Sequence, residues 1–388
     1  MKKNLLKYNY IKMKFVHILL LILISSLVSC EEYKCGLKKK DFQKVIDGKK
    51  TDLYVLTNKN GYEVAITNYG GAIAAIMAPD KDGNFLNVVQ GQDSIDNVIN
   101  SANPFLSTLI GRYGNRIRNG TLTLDGKEYK FKLNDGKNFL HGGFTGFHAR
   151  VWDAVQLNEH ELKLTYVSKD GEENFPGTLT MEVTFSLNDQ NEFKISYRGK
   201  TDKKTVVNMT HHMFVNLIGL SDPCPTIEDH ILTVNANWFL PTDNTMIPTG
   251  EILSVEHTPF DFRKPKKIKE ALACEDDKNI ILGHGVDHNF VLNQERQGEM
   301  IFAGKVVEPT TKRSMEIYTT EPGMQIYTAN WHDGFKGYHG VRMPRRSAVA
   351  FETQHFPDSP NIGHFPSVVL KPGEVYSSDT IYKFGVEK

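Results

Sequence analysis

The chain has 388 residues, 40% hydrophobic and 24% charged, which is the composition of a globular protein with a sizeable buried core. Lysine plus arginine and aspartate plus glutamate both number 46, and no basic stripe alternates with aromatic residues. The sequence therefore argues against a nucleic acid or another polyanion as partner.

The N-terminal segment predicts an export signal rather than part of a fold. Lysines precede an apolar run over residues 15–28, which at about 14 residues is too short to span a bilayer and is typical of a signal-peptide core. The run ends in Leu-Val-Ser-Cys at Cys30, which resembles the bacterial lipobox, where cleavage leaves a cysteine to be lipidated. The sequence leaves open whether Met1 or Met13 is the start.

These features predict three regions: a lipoprotein signal peptide over residues 1–29, a tether over residues 30–45 that is anchored through lipidated Cys30, and one domain over residues 46–388. The expected product is an exported bacterial lipoprotein, periplasmic or on the cell surface, that contacts the membrane only through its anchor. An ordinary cleavage site with an incidental cysteine is the alternative.

The three remaining cysteines, Cys35, Cys224 and Cys274, are an odd number and cannot form a closed disulfide framework. A bridge between Cys224 and Cys274 is conceivable in an oxidising compartment, and the sequence leaves it open. No CxxC motif or Cys/His spacing indicates zinc, so no metal site is predicted.

From about residue 41 onward the pattern is one of short strands, and two hairpins are the clearest elements. Residues 121–124 turn at Asp125-Gly126, a pair suited to a type I′ turn, into residues 128–131. Residues 178–187 alternate apolar with polar side chains, as in a half-buried strand, and return through residues 193–197. Many such strands without βαβ alternation predict an all-β fold, a large antiparallel β-sandwich with few short helices.

Six segments combine polar side chains with aromatic residues and glycine, a mixture suited to the hydroxyls and C–H faces of a sugar. They are GRYGNRI (111–117), NFLHGG (138–143), NMTHHMFVN (208–216), GVDHNF (285–290), TEPGMQIYT (320–328) and ETQHFPDSPN (352–361). Each alone is a weak signal: Arg116 could close a salt bridge, and Asp287 with His288 could cap a turn.

Strand geometry separates the paired histidines. If residues 208–216 form one strand, His212 and His211 point to opposite faces, which disfavours a joint metal site for the two. By the same rule Glu352 and Gln354 share a face, which places a carboxylate beside an amide.

Taken in order, the six segments resemble those of the galactose mutarotase (aldose 1-epimerase) family. Five further motifs extend the resemblance, which covers the chain from about residue 57 to its end: NYGG (68–71), DGEENFPG (170–177), IPTGE (247–251), TPFDFR (258–263) and FPS (365–367). The resemblance implies a single mutarotase-like β-sandwich that interconverts the α and β anomers of a free aldose, such as galactose or glucose, in hexose metabolism. It also implies a monosaccharide substrate and no cofactor. We expect a monomer, and the sequence leaves the oligomeric state open.

The resemblance assigns the general base to Glu352 and the general acid to His212. The base takes the proton of the C1 hydroxyl while the acid protonates the ring oxygen; the aldehyde then turns about C1–C2 and the ring closes on its other face. We expect Glu352 to begin ionised and His212 protonated, with a nearby carboxylate and partial burial holding the imidazolium near neutrality.

Five further residues match sugar-binding positions of the family. Asn115 and Arg116 match a sugar-contacting pair, His141 a hydrogen-bonding histidine near the ring oxygen, Asp287 a carboxylate that accepts from ring hydroxyls, and Gln325 a contact near the reducing end.

One departure from the family lies beside the acid. Where the family commonly has Asn-His-Ser-Tyr-Phe-Asn, this chain has His-His-Met-Phe-Val-Asn at 211–216, so two hydroxyls are missing and the preferred sugar is left open. Two other functions compete: a non-catalytic carbohydrate-binding lipoprotein of the same fold, and a glycoside hydrolase, which would need two opposed carboxylates.

Overall fold

The structure, a computed structural model, describes residues 33–388. The predicted signal peptide over residues 1–29 and the predicted lipidation site Cys30 lie outside the described residues. Within residues 33–388, no helix has the length and apolar character needed to cross a membrane.

Strands dominate the described residues, and helices are few and short. The strands of the first half are β1 (Val45–Ile46), β2 (Lys49–Lys50), β3 (Leu53–Thr57), β4 (Glu63–Thr67), β5 (Ile73–Pro79), β6 (Phe85–Asn87), β7 (Leu109–Ile110), β8 (Arg116–Ile117), β9 (Thr121–Leu124), β10 (Lys127–Lys130), β11 (Phe139–Leu140), β12 (Asp153–Asn158), β13 (Glu161–Ser168), β14 (Leu179–Leu187) and β15 (Glu192–Thr201).

The strands of the second half are β16 (Thr205–Val206), β17 (Thr210–His211), β18 (Phe214–Val215), β19 (Ile231–Val234), β20 (Ala236–Phe239), β21 (Leu253–Ser254), β22 (Lys266–Lys267), β23 (Asp287–Leu292), β24 (Ile301–Val307), β25 (Arg313–Thr319), β26 (Gly323–Tyr327), β27 (Phe335–Lys336), β28 (Arg342–Met343), β29 (Val349–Gln354), β30 (Val369–Leu370) and β31 (Tyr376–Val386). The α-helices are Ile95–Ile99, Ile268–Leu272 and Lys278–Gly283, and single 3₁₀ turns span Lys39–Phe42, Arg118–Gly120, Phe147–Ala149, Glu172–Asn174, Tyr338–Gly340 and Ser359–Asn361.

Two large antiparallel sheets form the body of the fold. A nine-stranded sheet has the order β12-β13-β14-β15-β31-β25-β24-β19-β22, and a six-stranded sheet has the order β18-β29-β26-β23-β20-β21. A third sheet of four strands runs from β3 to β6 in chain order. The predicted all-β, antiparallel fold class is therefore confirmed.

Both predicted hairpins are present. Between β9 and β10, Asp125 and Gly126 have φ of 50° and 77°, the positive values that a type I′ turn requires at both central residues. In the second hairpin β14 buries every second side chain, as the alternation predicts, and its partner β15 continues to Thr201, beyond the predicted residue 197.

One continuous apolar cluster joins the two large sheets. Phe185 on β14 of the nine-stranded sheet and Phe351 on β29 of the six-stranded sheet are both buried members of it. Burial of such a side chain stabilises the fold by about 1.5–3 kcal/mol. The strands of the six-stranded sheet, which carry several candidate site residues, are thus held on a rigid core.

The cysteines of the described chain are unpaired. Cys35 and Cys224 are buried and Cys274 is partly exposed, and the Cys224 thiol lies 3.5 Å from the Ser347 carbonyl oxygen, to which it donates. The Cys224–Cys274 bridge that the sequence left open does not form in this structure.

Candidate active site

Six of the seven predicted sugar-site residues line one cavity of about 420 Å³: Asn115, Arg116, His141, His212, Asp287 and Glu352. The seventh, Gln325, lies behind this wall rather than in it. Its Nε2 donates a hydrogen bond of 2.7 Å to Oδ1 of Asp287. Gln325 therefore reaches the cavity through the carboxylate that it holds, and its role as a direct sugar contact stays a prediction.

Three neighbouring strands of the six-stranded sheet position the acidic side of the cavity. Glu352 on β29 is opposite Gln325 on β26, and Asp287, the first residue of β23, is opposite Tyr327 on β26. Period-two alternation in each strand places these side chains on one face of the sheet. Asp287 thus begins a strand and does not cap a turn.

His212 lies between two strands, so the single strand over residues 208–216 that the alternation argument assumed does not form. β17 ends at His211 and pairs with β7, whereas β18 begins at Phe214 and pairs with β29. The chain changes strand partners at His212, which period-two alternation cannot reveal. The two histidines nevertheless point apart: His211 Nε2 is 3.2 Å from the carbonyl oxygen of Gly71, while His212 lines the cavity.

Asn115 and His141 hold each other in place. The backbone amide of Asn115 donates to Nδ1 of His141 at 3.1 Å, and the backbone amide of His141 donates to the backbone carbonyl of Asn115 at 3.2 Å. Both have positive φ, 64° and 53°, and Gly142 follows with φ of 82°, where a Cβ would stand 1.8 Å from the Gly111 carbonyl oxygen. The tight turn at this corner therefore depends on a glycine.

The hydrogen bond from Asn115 fixes what His141 can do. Because Nδ1 accepts, the hydrogen of the neutral ring lies on Nε2. Burial, with the nearby His212 and Arg116, holds the pKa of His141 well below 6.5, so the ring is neutral.

Ligand atoms of His141, His212 and Glu352 lie within 4.8 Å of one another, and residues of these types can bind a divalent metal. Because His141 Nε2 carries the hydrogen of the neutral ring, it can donate to a sugar oxygen but has no free lone pair with which to bind a metal ion.

Arg116 closes a salt bridge and also lines the cavity. Its Nε is 2.7 Å from Oδ2 of Asp135. Burial disfavours its charge, but the carboxylates of Asp287 and Asp135 outweigh burial and raise the pKa of the guanidinium. Arg116 is therefore a fixed cation among carboxylates, able to donate to sugar hydroxyls.

His212 and Glu352 are in direct contact in the wall of the cavity. His212 Nε2 lies 3.4 Å from Oε1 of Glu352, and their side chains are only 8% and 2% exposed. Burial, reinforced by the charge of Asp287 and opposed by Arg116, raises the pKa of Glu352 well above 4.5. Burial also lowers the pKa of His212 to about 3.

These shifts correct the expected protonation of the sugar-free site. The sequence predicted an imidazolium held near neutrality by a neighbouring carboxylate, but burial penalises both charges. Burial therefore favours the uncharged forms of the pair, a protonated Glu352 and a neutral His212, over the ion pair.

Aromatic residues that the six segments did not include complete the cavity. Phe105 and a loop with Trp331, His332 and Phe335 form much of the remaining wall. This loop directly follows the segment 320–328, and its run of aromatic and polar residues was the signal that could have identified it.

An imidazole and a carboxylate in contact, within a polar and aromatic cavity of an antiparallel β-sandwich, define an acid–base enzyme that acts on carbohydrates. Comparison with known proteins gives the family: the chain belongs to the aldose 1-epimerase family, whose model matches residues 52–383. It is an isomerase that interconverts the anomers of a free aldose.

The individual relatives agree. The galactose mutarotase of Bos taurus is 42% identical over 83% of this chain and 91% of the relative. The aldose 1-epimerase of Escherichia coli is 34% identical over 88% and 97%. Among solved structures, an aldose epimerase homologue from C. elegans matches with a TM-score of 0.79 and 29% identity, covering 87% of this chain and 100% of that one. A galactose 1-epimerase from Lactobacillus acidophilus matches with a TM-score of 0.77 and 27% identity, covering 89% and 97%.

The predicted localisation is wrong. The sequence predicted an exported bacterial lipoprotein anchored through Cys30, but the relatives at 39–42% identity include the galactose mutarotases of Bos taurus, Sus scrofa and Homo sapiens. The similarity to the family begins only at residue 52, so the segment on which that prediction rested lies outside it. A short apolar run before a cysteine is too little information to set against this relationship.

Proposed function

We propose that Glu352 and His212 are the base and the acid of the anomer interconversion, acting on a galactose- or glucose-like aldose. The contact of 3.4 Å between His212 Nε2 and Glu352 Oε1 carries the proposal. General acid–base catalysis needs two groups that can each reach one oxygen of the substrate and can exchange roles.

The reaction needs one proton on the pair and no more. When the sugar enters, its C1 hydroxyl donates to the carboxylate of Glu352, which stabilises the ionised form, and the shared proton moves to His212. Glu352 then removes the C1 hydroxyl proton as His212 gives its proton to the ring oxygen, so that the C1–ring oxygen bond breaks and the aldehyde forms. Rotation about C1–C2 and the reverse transfers produce the other anomer and restore the pair.

The other residues of the cavity bind the sugar in this proposal. The guanidinium of Arg116 and the carboxylate of Asp287 offer donors and acceptors to ring hydroxyls. The Nε2–H of His141 donates near the ring oxygen, which leaves the His212 proton as the one that is transferred. Asn115 acts through its backbone contact with His141, and Gln325 acts through Asp287.

Galactose is the aldose that the relatives support, since the match at 42% identity is named galactose mutarotase. The chain is further proposed to act as a monomer, because it supplies by itself every residue to which the proposed reaction gives a role. Gel filtration with light scattering tests the second statement, and a stable dimer would overturn it.

Polarimetry or NMR on freshly dissolved α-galactose and α-glucose tests the proposal. The wild type should speed equilibration, and Glu352→Gln or His212→Asn should lower kcat by about 10²–10⁴-fold, the usual contribution of a positioned acid or base. The matched control is Glu321→Gln, which breaks another buried carboxylate–imidazole pair, with His355 at 2.6 Å, outside the cavity wall. Equal losses in Glu352→Gln and Glu321→Gln, or full activity in Glu352→Gln, would contradict the assignment.

Binding can be measured apart from catalysis through tryptophan fluorescence. Trp331 in the cavity wall is 65% exposed, whereas Trp152 is fully buried. A sugar in the cavity should change the emission of Trp331 in the Glu352→Gln variant, and Trp331→Phe should abolish the change. Retained binding with lost turnover is the expected result.

A further inference from the structure

His332 is a buried histidine in the cavity wall whose two ring nitrogens have no hydrogen-bonding partner. Its relative exposure is 6%, it lines the cavity, and both Nδ1 and Nε2 are buried without a hydrogen bond. Within residues 33–388 it is the one histidine with both ring nitrogens in that state. Neither the six motifs nor the catalytic proposal assigns it a role.

An unpaired buried polar group is costly, at about 1–3 kcal/mol each, and most buried polar atoms in proteins are paired. Two other unpaired atoms belong to residues of the cavity wall, Nδ1 of His212 and Oε2 of Glu352. His332 thus shares with the proposed catalytic groups an unmet hydrogen-bonding capacity at the same cavity.

The surroundings of His332 fix the plane of its ring. The ring centroid is 4.9 Å from that of Phe214 and 5.0 Å from that of Phe335, and the backbone amide donates to the Ala329 carbonyl at 3.4 Å. Neither aromatic neighbour can satisfy a ring nitrogen. His332 lines the cavity, but neither ring nitrogen is exposed to it as the ring stands. A half-turn of the imidazole, which keeps its plane and exchanges the nitrogen and carbon positions, is the movement by which a nitrogen would meet a hydrogen-bonding partner in the cavity.

The charge state of His332 suits a neutral partner. Burial lowers its pKa to about 4, against a small opposing effect of Asp333, so the ring is neutral at physiological pH. A neutral imidazole offers one donor and one acceptor, and a hydroxyl group is the matching partner because it also donates and accepts.

We propose that His332 is a specificity-determining residue that hydrogen-bonds a hydroxyl of the bound aldose away from the reacting C1 and ring oxygen. The Phe214 ring contacts both imidazoles, at 4.6 Å from His212 and 4.9 Å from His332, so His332 lies beyond the acid. The proposal rests on the proposed function, since the same cavity must hold the sugar. His332 selects among epimers and takes no part in the proton transfers.

Variants His332→Leu and His332→Asn test the proposal. His332→Leu removes both nitrogens in a similar volume and should raise KM for the preferred aldose about five- to tenfold, the loss of roughly one neutral hydrogen bond, with kcat within about twofold. It should also be as stable as the wild type or more stable, because it removes two unpaired buried nitrogens. His332→Asn keeps a donor and an acceptor and should recover part of the KM.

A deoxy-sugar series identifies the hydroxyl. The wild type is assayed with galactose and its 2-, 3-, 4- and 6-deoxy analogues, and one of these should show a raised KM that His332→Leu does not raise further. A purely structural role predicts the same KM penalty for every analogue and a lower melting temperature. That result, or an unchanged KM in His332→Leu, would overturn the proposal. The Glu352→Gln variant run in parallel reports separately on the proposed base.

Discussion

The backbone amide of Asn115 donates to Nδ1 of His141 at 3.1 Å, and this bond decides which nitrogen of His141 carries hydrogen in the cavity. A main-chain donor cannot rotate away or titrate, so the tautomer is set by the fold. His141 is held as a donor at Nε2 even though its own side chain has no other fixed partner.

The sugar affinity of His141 variants should therefore depend on how far the new side-chain amide reaches. His141→Gln places a donor near the former Nε2 and should retain more sugar affinity than His141→Asn, whose amide reaches only the former Nδ1. We expect KM to rise about tenfold or more in the asparagine variant and clearly less in the glutamine variant, as measured by polarimetry. Since asparagine tolerates the positive φ of 53° at this position, misfolding would not explain that order. Equal KM values would refute the donor role.

The charge of Asp287 should shift the pH profile. Asp287 raises the pKa of Glu352, so Asp287→Asn should lower that pKa. Activity requires the shared proton, and its loss at high pH defines the basic limb of the kcat/KM profile. The limb should move to lower pH in Asp287→Asn, in addition to any loss of sugar affinity. A limb that stays in place, or moves upward, would contradict the coupling between the two carboxylates.

Glu352 should lower the stability of the folded protein as pH rises above about 4.5. Its pKa in the folded state is raised above 4.5, so its contribution to stability is fully present below the unfolded pKa and is lost as pH rises toward the folded pKa. Glu352→Gln cannot ionise and escapes this loss. Thermal melting of the two proteins should therefore diverge in favour of Glu352→Gln as pH rises from about 4.5. Parallel melting curves at every pH would show that burial does not penalise the carboxylate.

Gln325 should act on binding more than on turnover. Gln325→Met removes the 2.7 Å donor to Asp287, and a lost hydrogen bond to a charged group costs about 1.5–3 kcal/mol. KM should rise by about tenfold or more, with a smaller change in kcat. Gln354→Met is the control, since Gln354 is buried in the adjacent strand and its amide is 3.4 Å from Asn289 Oδ1. Similar KM values in the two variants would remove Gln325 from the site.

Gly142 should be intolerant of a side chain. In Gly142→Ala the new Cβ would stand 1.8 Å from the Gly111 carbonyl oxygen, so the turn that carries His141 must move. We expect a loss of several kcal/mol in the free energy of unfolding, or a much lower kcat/KM. Gly136→Ala also has positive φ but meets nothing within 4 Å, and it should cost only about 1–2 kcal/mol. Chemical denaturation of both variants gives the comparison, and equal costs would contradict the clash.

The sequence predicts site residues best where they lie in strands with clear alternation or in motifs that follow the order of the family. Glu352 and Asp287 lie in strands whose alternation is visible, and Asn115, Arg116 and His141 lie in motifs that occur in family order. Alternation assigns a side chain to a face of a sheet but gives no distance, which is why the place of Gln325 behind Asp287 could not be read from it.

Other features depend on residues far apart in the chain. The break at His212 arises because β17 and β18 have different partners, and neither partner is near in sequence. The pKa shifts of His212 and Glu352 come first from burial, which exists only after the fold has closed. The loop with Trp331 and His332 follows a strand and has no periodicity, so only the structure brings it to the cavity.

The break at His212 has a consequence for how this enzyme can diverge. The base lies on β29, a strand that pairs with β18 on one side and β26 on the other, whereas the acid lies where the chain passes from one strand partner to another. Because Phe214 pairs with Ala350 of β29, a substitution at this corner acts on the strand that carries the base as well as on the acid. New sugar preferences that arise beside the acid must therefore preserve the pairing of β18 with β29, which links this corner of the cavity to the base.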